Sequence, residues 1–124
     1  VRGDAGRGLP FRDDAFDGLL SKQVIHHALL ATVRETIREL RRVLRGGGLL
    51  FVTVPARLDE GIEYEEIEPG THVPLSGTEA GVPHHIFSLQ EFQAELGGFR
   101  TLDLSLRGPV VLAFLGVKEA GRAT

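Results

Sequence analysis

The 124-residue chain has no cysteine, which excludes disulfide bridges and every metal site built on thiolates. It also lacks an apolar run long enough to span a bilayer. No charged-then-apolar leader opens it, so it is expected to be soluble, unexported and, by default, cytoplasmic. Neither sign of charge dominates: 14 Lys and Arg stand against 17 Asp and Glu, for a formal net charge of -3. The basic surface of a nucleic-acid binder is therefore missing, and neither a nucleic acid nor a membrane is expected as a partner. The chain also opens on Val1 where a methionine is usual, as expected of a fragment or of a reading frame begun at an unusual codon.

What is present is material for one core, since 42% of the residues are hydrophobic and the length suits a single domain over 1–124. In "TVRETIRELRRVLRGGG", Leu30, Val33, Ile37, Leu40 and Leu44 recur at spacings of three and four, the pattern of one apolar helix face. Thr32 and Glu35 form a capping-box pair, which puts the start of the helix near Val33. Arg41, Arg42 and Arg45 suit its carbonyl end, and Gly46 suits a left-handed stop. The following "LLFVTV", Leu49 to Val54, has no polar alternation and reads as a strand covered on both faces. Upstream, "FDGLLS" from Phe16 to Ser21 completes a strand-helix-strand unit of an α/β sheet.

From Ala56 to His85 the periodicity dissolves into prolines, glycines and the acidic cluster Asp59, Glu60, Glu63, Glu65, Glu66 and Glu68. A connection this long is expected to be a mobile lid. Ser88 and Glu91 repeat the capping box, Phe87 and Phe92 take the positions of a hydrophobic staple, and a helix runs to about Leu96. "TLDLSLR" then alternates as an edge strand, and "VVLAFLGV" after Gly108-Pro109 reads as a buried strand. Their short connection makes them an antiparallel hairpin.

Two stretches, "GDAGRGLPFRDDAFDGLLSKQVIHH" and "IRELRRVLRGGGLLFVTVP", together resemble signatures of the class I S-adenosylmethionine-dependent methyltransferases. The segment "IEPGTHVPLSGTEAGVPHHIFSLQEF" is similar to small-molecule members of the tellurite-resistance type. The resemblance implies an α/β fold. It would be a partial Rossmann-like methyltransferase sheet with parallel strands, flanking helices and a C-terminal antiparallel hairpin, corresponding to the C-terminal portion of the family domain. It implies methyl transfer from S-adenosylmethionine to a small molecule. It places Asp4 and Ala5 against the adenine, and Ser21 and Lys22 at the methionine end of the cofactor. The family's first strand, glycine-rich turn and ribose-binding acidic residue would precede Asp4. A chain of these residues alone is accordingly expected to be inactive. The alternative is a non-catalytic module or truncated remnant that works by association with another chain, including self-association through an exposed strand edge.

"GDAGRG" is itself no nucleotide turn, for no strand precedes it and Pro10 stands where a helix would continue. His84 and His85, where the lid returns, are the candidates for a substrate-orienting group or general base, because imidazole titrates near neutrality. Neither they nor His26 and His27 show a fixed ligand spacing, and neighbouring histidines on a helix or strand point apart, so no metal site is expected.

Overall fold

A computed structural model describes residues 9–119. Seven strands and two helices follow in the order β1 (Phe16–Lys22), α1 (Leu30–Val43), β2 (Leu44–Pro55), β3 (Tyr64–Glu68), β4 (Thr71–Pro74), β5 (His84–His85), α2 (Leu89–Glu95), β6 (Phe99–Arg107) and β7 (Val111–Lys118). The main sheet has the order β1-β2-β7-β6. β1 and β2 run parallel, with Leu19 beside Leu50, while β7 lies antiparallel between β2 and β6. The α/β class, the parallel pair and the C-terminal hairpin with its inner last strand are thus as the sequence led us to expect. No helix among the described residues is long and apolar enough to cross a membrane.

The core lies on one face of this sheet. Leu50, Val52 and Val54 of β2 and Leu112 and Phe114 of β7 meet Val33 and Ile37 of α1 and Phe92 of α2. Alternation decides this, because successive strand side chains point to opposite faces. The other face is poorly covered: Leu49 is exposed and Phe51 only half-buried. The apolar run of β2 is therefore covered on one side only among the described residues, a correction to its reading as a strand buried on both.

Two helix ends differ from the sequence reading. α1 begins at Leu30, three residues before the expected start, and no side chain of its own first turn caps it. The amide of Leu30 instead donates to Glu68 Oε2 at 2.7 Å, a carboxylate from 38 residues downstream. At the other end the helix stops at Val43, and Leu44 is already extended. The left-handed residue is Gly47, at φ 81°, not Gly46. Gly48 is required for space, since a Cβ there would lie 2.9 Å from the carbonyl oxygens of Arg45 and Asp17. In α2 the expectation holds: Ser88 Oγ accepts from the Glu91 amide at 3.1 Å, and the Phe87 and Phe92 rings lie 5.3 Å apart.

The stem before β1 is tied to α1 by charge. Glu39 accepts from the Leu9 amide at 2.7 Å and from Arg42 Nε at 2.8 Å, and Arg42 also donates to the carbonyls of Phe11 and Leu9. The Arg42 guanidinium and the Leu9 amide hold the Glu39 carboxyl down at about 2. A carboxyl depressed by folding adds stability that is present above its unfolded value and lost as the pH falls from about 4.5 toward about 2. Glu39→Gln should therefore flatten the acid limb of a stability profile in that window and leave its neutral region with the same slope. Denaturant titrations at stepped pH check this.

Candidate functional site

β1 forms the rim of the main sheet, and its outer edge has no strand partner among the described residues. A groove of about 660 Å³ runs along that edge and under α1, from Phe11 and Phe16 to Ser21, Val24 and Ala28. Its walls are mostly apolar, with Leu20 65% and Val24 61% exposed. A hollow that follows the whole length of a strand is the trough beside an unpaired sheet edge. Only its far end, outside the carboxyl end of β1, lies where open α/β sheets bind ligands. Ser21 and Lys22 line that end. Beside them Gln23 takes a left-handed backbone, φ 55°, held by its amide donating to the Thr53 carbonyl at 2.8 Å. A non-glycine residue in this region costs on the order of 1–3 kcal/mol, so the turn is imposed by its surroundings.

The turn after Gln23 carries His26 and His27, and it brings their rings together. Their centroids are 3.9 Å apart, because the pair sits in a turn where neighbouring side chains need not diverge. His84 comes from β5, with its ring centroid 4.7 Å from that of His27. The backbone makes this meeting: the His85 amide donates to the His26 carbonyl at 2.8 Å. His84 of the second histidine pair thus joins His26 and His27 of the first in one cluster. Together with Gln23, Tyr64 and Glu79 they line a second pocket of about 250 Å³. His26 is only 3% exposed, and its Nδ1 has no hydrogen-bond partner. Burial first, then the neighbouring His27 and His84, push its pKa down to about 3, so it is neutral at physiological pH. Burial likewise lowers His27, with the Glu79 carboxylate acting in the opposite direction.

His85 points the other way along β5, into the body of the protein. It is 1% exposed and hydrogen-bonded at 2.7 Å to Thr71 Oγ1 and at 2.6 Å to Glu91 Oε1. Thr71 in turn donates to Glu68 Oε2 at 2.6 Å. Glu68, depressed by the Leu30 amide and then by Thr71, links this chain to the start of α1. The segment 56–85 therefore carries a three-stranded sheet, β3-β4-β5, bonded to both helices, where the sequence led us to expect a mobile lid without regular structure. Charged residues dominate β3, "YEEIE", and hid its period. The reversal between β3 and β4 needs Gly70 at φ 80°, where a Cβ would press on the His85 ring at 3.0 Å. Of the two candidates singled out in the sequence, His84 faces a cavity and His85 holds the lid down.

Asp4 and Ala5 lie outside the described residues. Ser21 and Lys22, expected from the resemblance at the methionine end of a cofactor, line the groove at the carboxyl end of β1, with apolar walls beside them. The resemblance to S-adenosylmethionine-dependent methyltransferases would also call for a carboxylate at the ribose hydroxyls, and none lines this groove among the described residues.

Comparison with known proteins agrees with this geometry. Residues 1–52 match the model of a methyltransferase domain family. The probable tRNA methyltransferase 9B of Homo sapiens is 41% identical over 59 residues, 47% of this chain and 13% of that protein. Among solved structures, a Pyrococcus horikoshii protein superposes with a TM-score of 0.76 at 20% identity, over 96% of this chain and 58% of its own. An S-adenosylmethionine-dependent methyltransferase from Methanosarcina mazei superposes with a TM-score of 0.70 at 16% identity, over 94% and 65%. These structures share the fold. The chain spans less than two thirds of the length of each of the three.

Proposed function

We propose that this chain carries part of a class I S-adenosylmethionine-dependent methyltransferase domain and supplies the acceptor side and the methionine end of a site that methylates a small molecule, a reading supported by the family match over residues 1–52 and by the shared fold. One observation carries the reading: His27 lines both the far end of the β1 groove and the pocket beneath the lid. On this reading the place for the methyl-bearing end of the cofactor adjoins a partly open, partly polar pocket of about 250 Å³.

The cofactor, when bound, supplies a methyl group already activated by its sulfonium. Alignment and exclusion of water then remain for the protein. Ser21 and Lys22 hold one end of the groove, and the pinned sheet β3-β4-β5 closes the other side. An acceptor of small size, as the resemblance of the sequence to the tellurite-resistance type implies, is favoured by the charge of that sheet. Glu63, Glu65 and Glu66 are exposed around β3, and a polyanion such as tRNA is bound through Lys and Arg contacts to phosphate. The test incubates the complete product of the gene with methyl-labelled S-adenosylmethionine and a cell extract, then separates tRNA from small molecules. Label should collect in the small-molecule fraction. Label confined to tRNA would overturn the acceptor class.

A further inference from the structure

We propose that His26, His27 and His84, with Glu79, bind one divalent transition-metal cation of the Zn²⁺ type, which latches β5 of the lid to the turn after β1. This inference is independent of the proposed acceptor.

The three imidazoles each offer a ring nitrogen, and these atoms all lie within 4.8 Å of one another. Glu79 adds a carboxylate, 2.6 Å from His84 Nε2 and 3.5 Å from His27 Nε2. Tetrahedral zinc holds nitrogens at about 2.0–2.1 Å, which sets them roughly 3.4 Å from each other. Atoms lying up to 4.8 Å apart must close by up to about 1.4 Å to meet that geometry. His27, half-exposed and in a turn, is the member free to make it.

Two features go beyond a packed group of rings. Ring stacking accounts for the contact of His26 with His27 but leaves Nδ1 of His26 buried without a partner, an arrangement native proteins seldom tolerate. Metal coordination would satisfy it. His84 Nδ1 is engaged by the Val82 carbonyl at 2.7 Å, which turns Nε2 toward the cluster. A backbone carbonyl on the far nitrogen is the usual support of a metal-ligating histidine. Imidazole and carboxylate donors without thiolate suit Zn²⁺ and its neighbours in the first transition row.

The untagged chain, stripped with EDTA and dialysed, is titrated with Co²⁺ and with Zn²⁺. The expected result is one equivalent of Co²⁺ showing the intense visible ligand-field bands of four-coordination, displaced by one equivalent of Zn²⁺, and a higher unfolding temperature with Zn²⁺. His27→Ala and Glu79→Gln should each weaken binding by about 10- to 100-fold. His72→Ala, which alters a histidine on β4 paired with Glu66 outside the cluster, should leave binding unchanged. The Co²⁺ spectrum of the unaltered chain decides independently of how the variants fold. Absence of a four-coordinate Co²⁺ spectrum at one equivalent, or affinity unchanged in both His27→Ala and Glu79→Gln, would overturn the proposal.

Discussion

Phe114→Ala is expected to lower the unfolding free energy by about 3–5 kcal/mol, the cost of emptying a large aromatic site in a core that cannot fully collapse. Phe114 is completely buried on β7, opposite Val52 of β2 and Leu104 of β6. Its ring meets those of Phe92 and Phe99, each with centroids 6.3 Å away. It therefore joins α2 to the sheet as well as filling the space between strands. A chain of this length has a total stability of about 6–18 kcal/mol at the usual per-residue value. One covered face leaves it toward the lower end, so the variant should keep only about 1–3 kcal/mol and unfold at a markedly lower temperature. Urea denaturation followed by circular dichroism checks this, and a loss below about 1 kcal/mol would mean that Phe114 is not central to the core.

The second large effect is expected at His85. His85→Ala removes the hub between Thr71 and Glu91, leaving buried Thr71 only its bond to Glu68 and taking the imidazole partner from the partly exposed Glu91. Each lost hydrogen bond costs about 0.5–1.5 kcal/mol, and the lost ring adds a cavity, for about 2–4 kcal/mol in all. The loss should be local. Amides of β3 and β4 should exchange with solvent much faster in the variant, while those of β2 and β7 keep their protection. Equal acceleration in both sheets would show that the lid is not a separately anchored unit. Unchanged exchange would show that His85 does not anchor it.

These two residues mark what the sequence made legible. Phe114 lies in "VVLAFLGV", an uninterrupted apolar run between turn signals, and such a run announces a covered strand wherever it occurs. The face of α1 was readable for the same reason, since Val33 and Ile37 recur at helical spacing over local sequence. His85 was visible as a residue but not as a hub, because its partners are defined by the pairing of β4 with β5. The same limit hid the true cap of α1. Thr32 and Glu35 satisfied every local rule, yet Glu68 reaches the helix start from a strand whose charged surface concealed its period. The imidazole cluster joins positions in a turn to one on β5, and nothing in their spacing along the chain encodes that meeting. The apolar character of β2 misled in another way. It signalled burial on both faces, whereas the described residues cover only one.

The account rests on the claim that the carboxyl end of β1 is the cofactor-facing end of this chain. By itself the 124-residue chain should bind S-adenosylhomocysteine only weakly. A few hydrogen bonds at about 1 kcal/mol each do not outweigh the several kcal/mol lost in ordering a flexible ligand in an open groove. The direct test is an amide-resolved NMR titration of this chain with S-adenosylhomocysteine. The expected result is non-saturating, fast-exchange shifts confined to the groove end, at Ser21, Lys22, Gln23 and Ile25, with residues of β6 unmoved. Shifts that leave Ser21 to Ile25 untouched, or saturable micromolar binding by the chain alone, would contradict it.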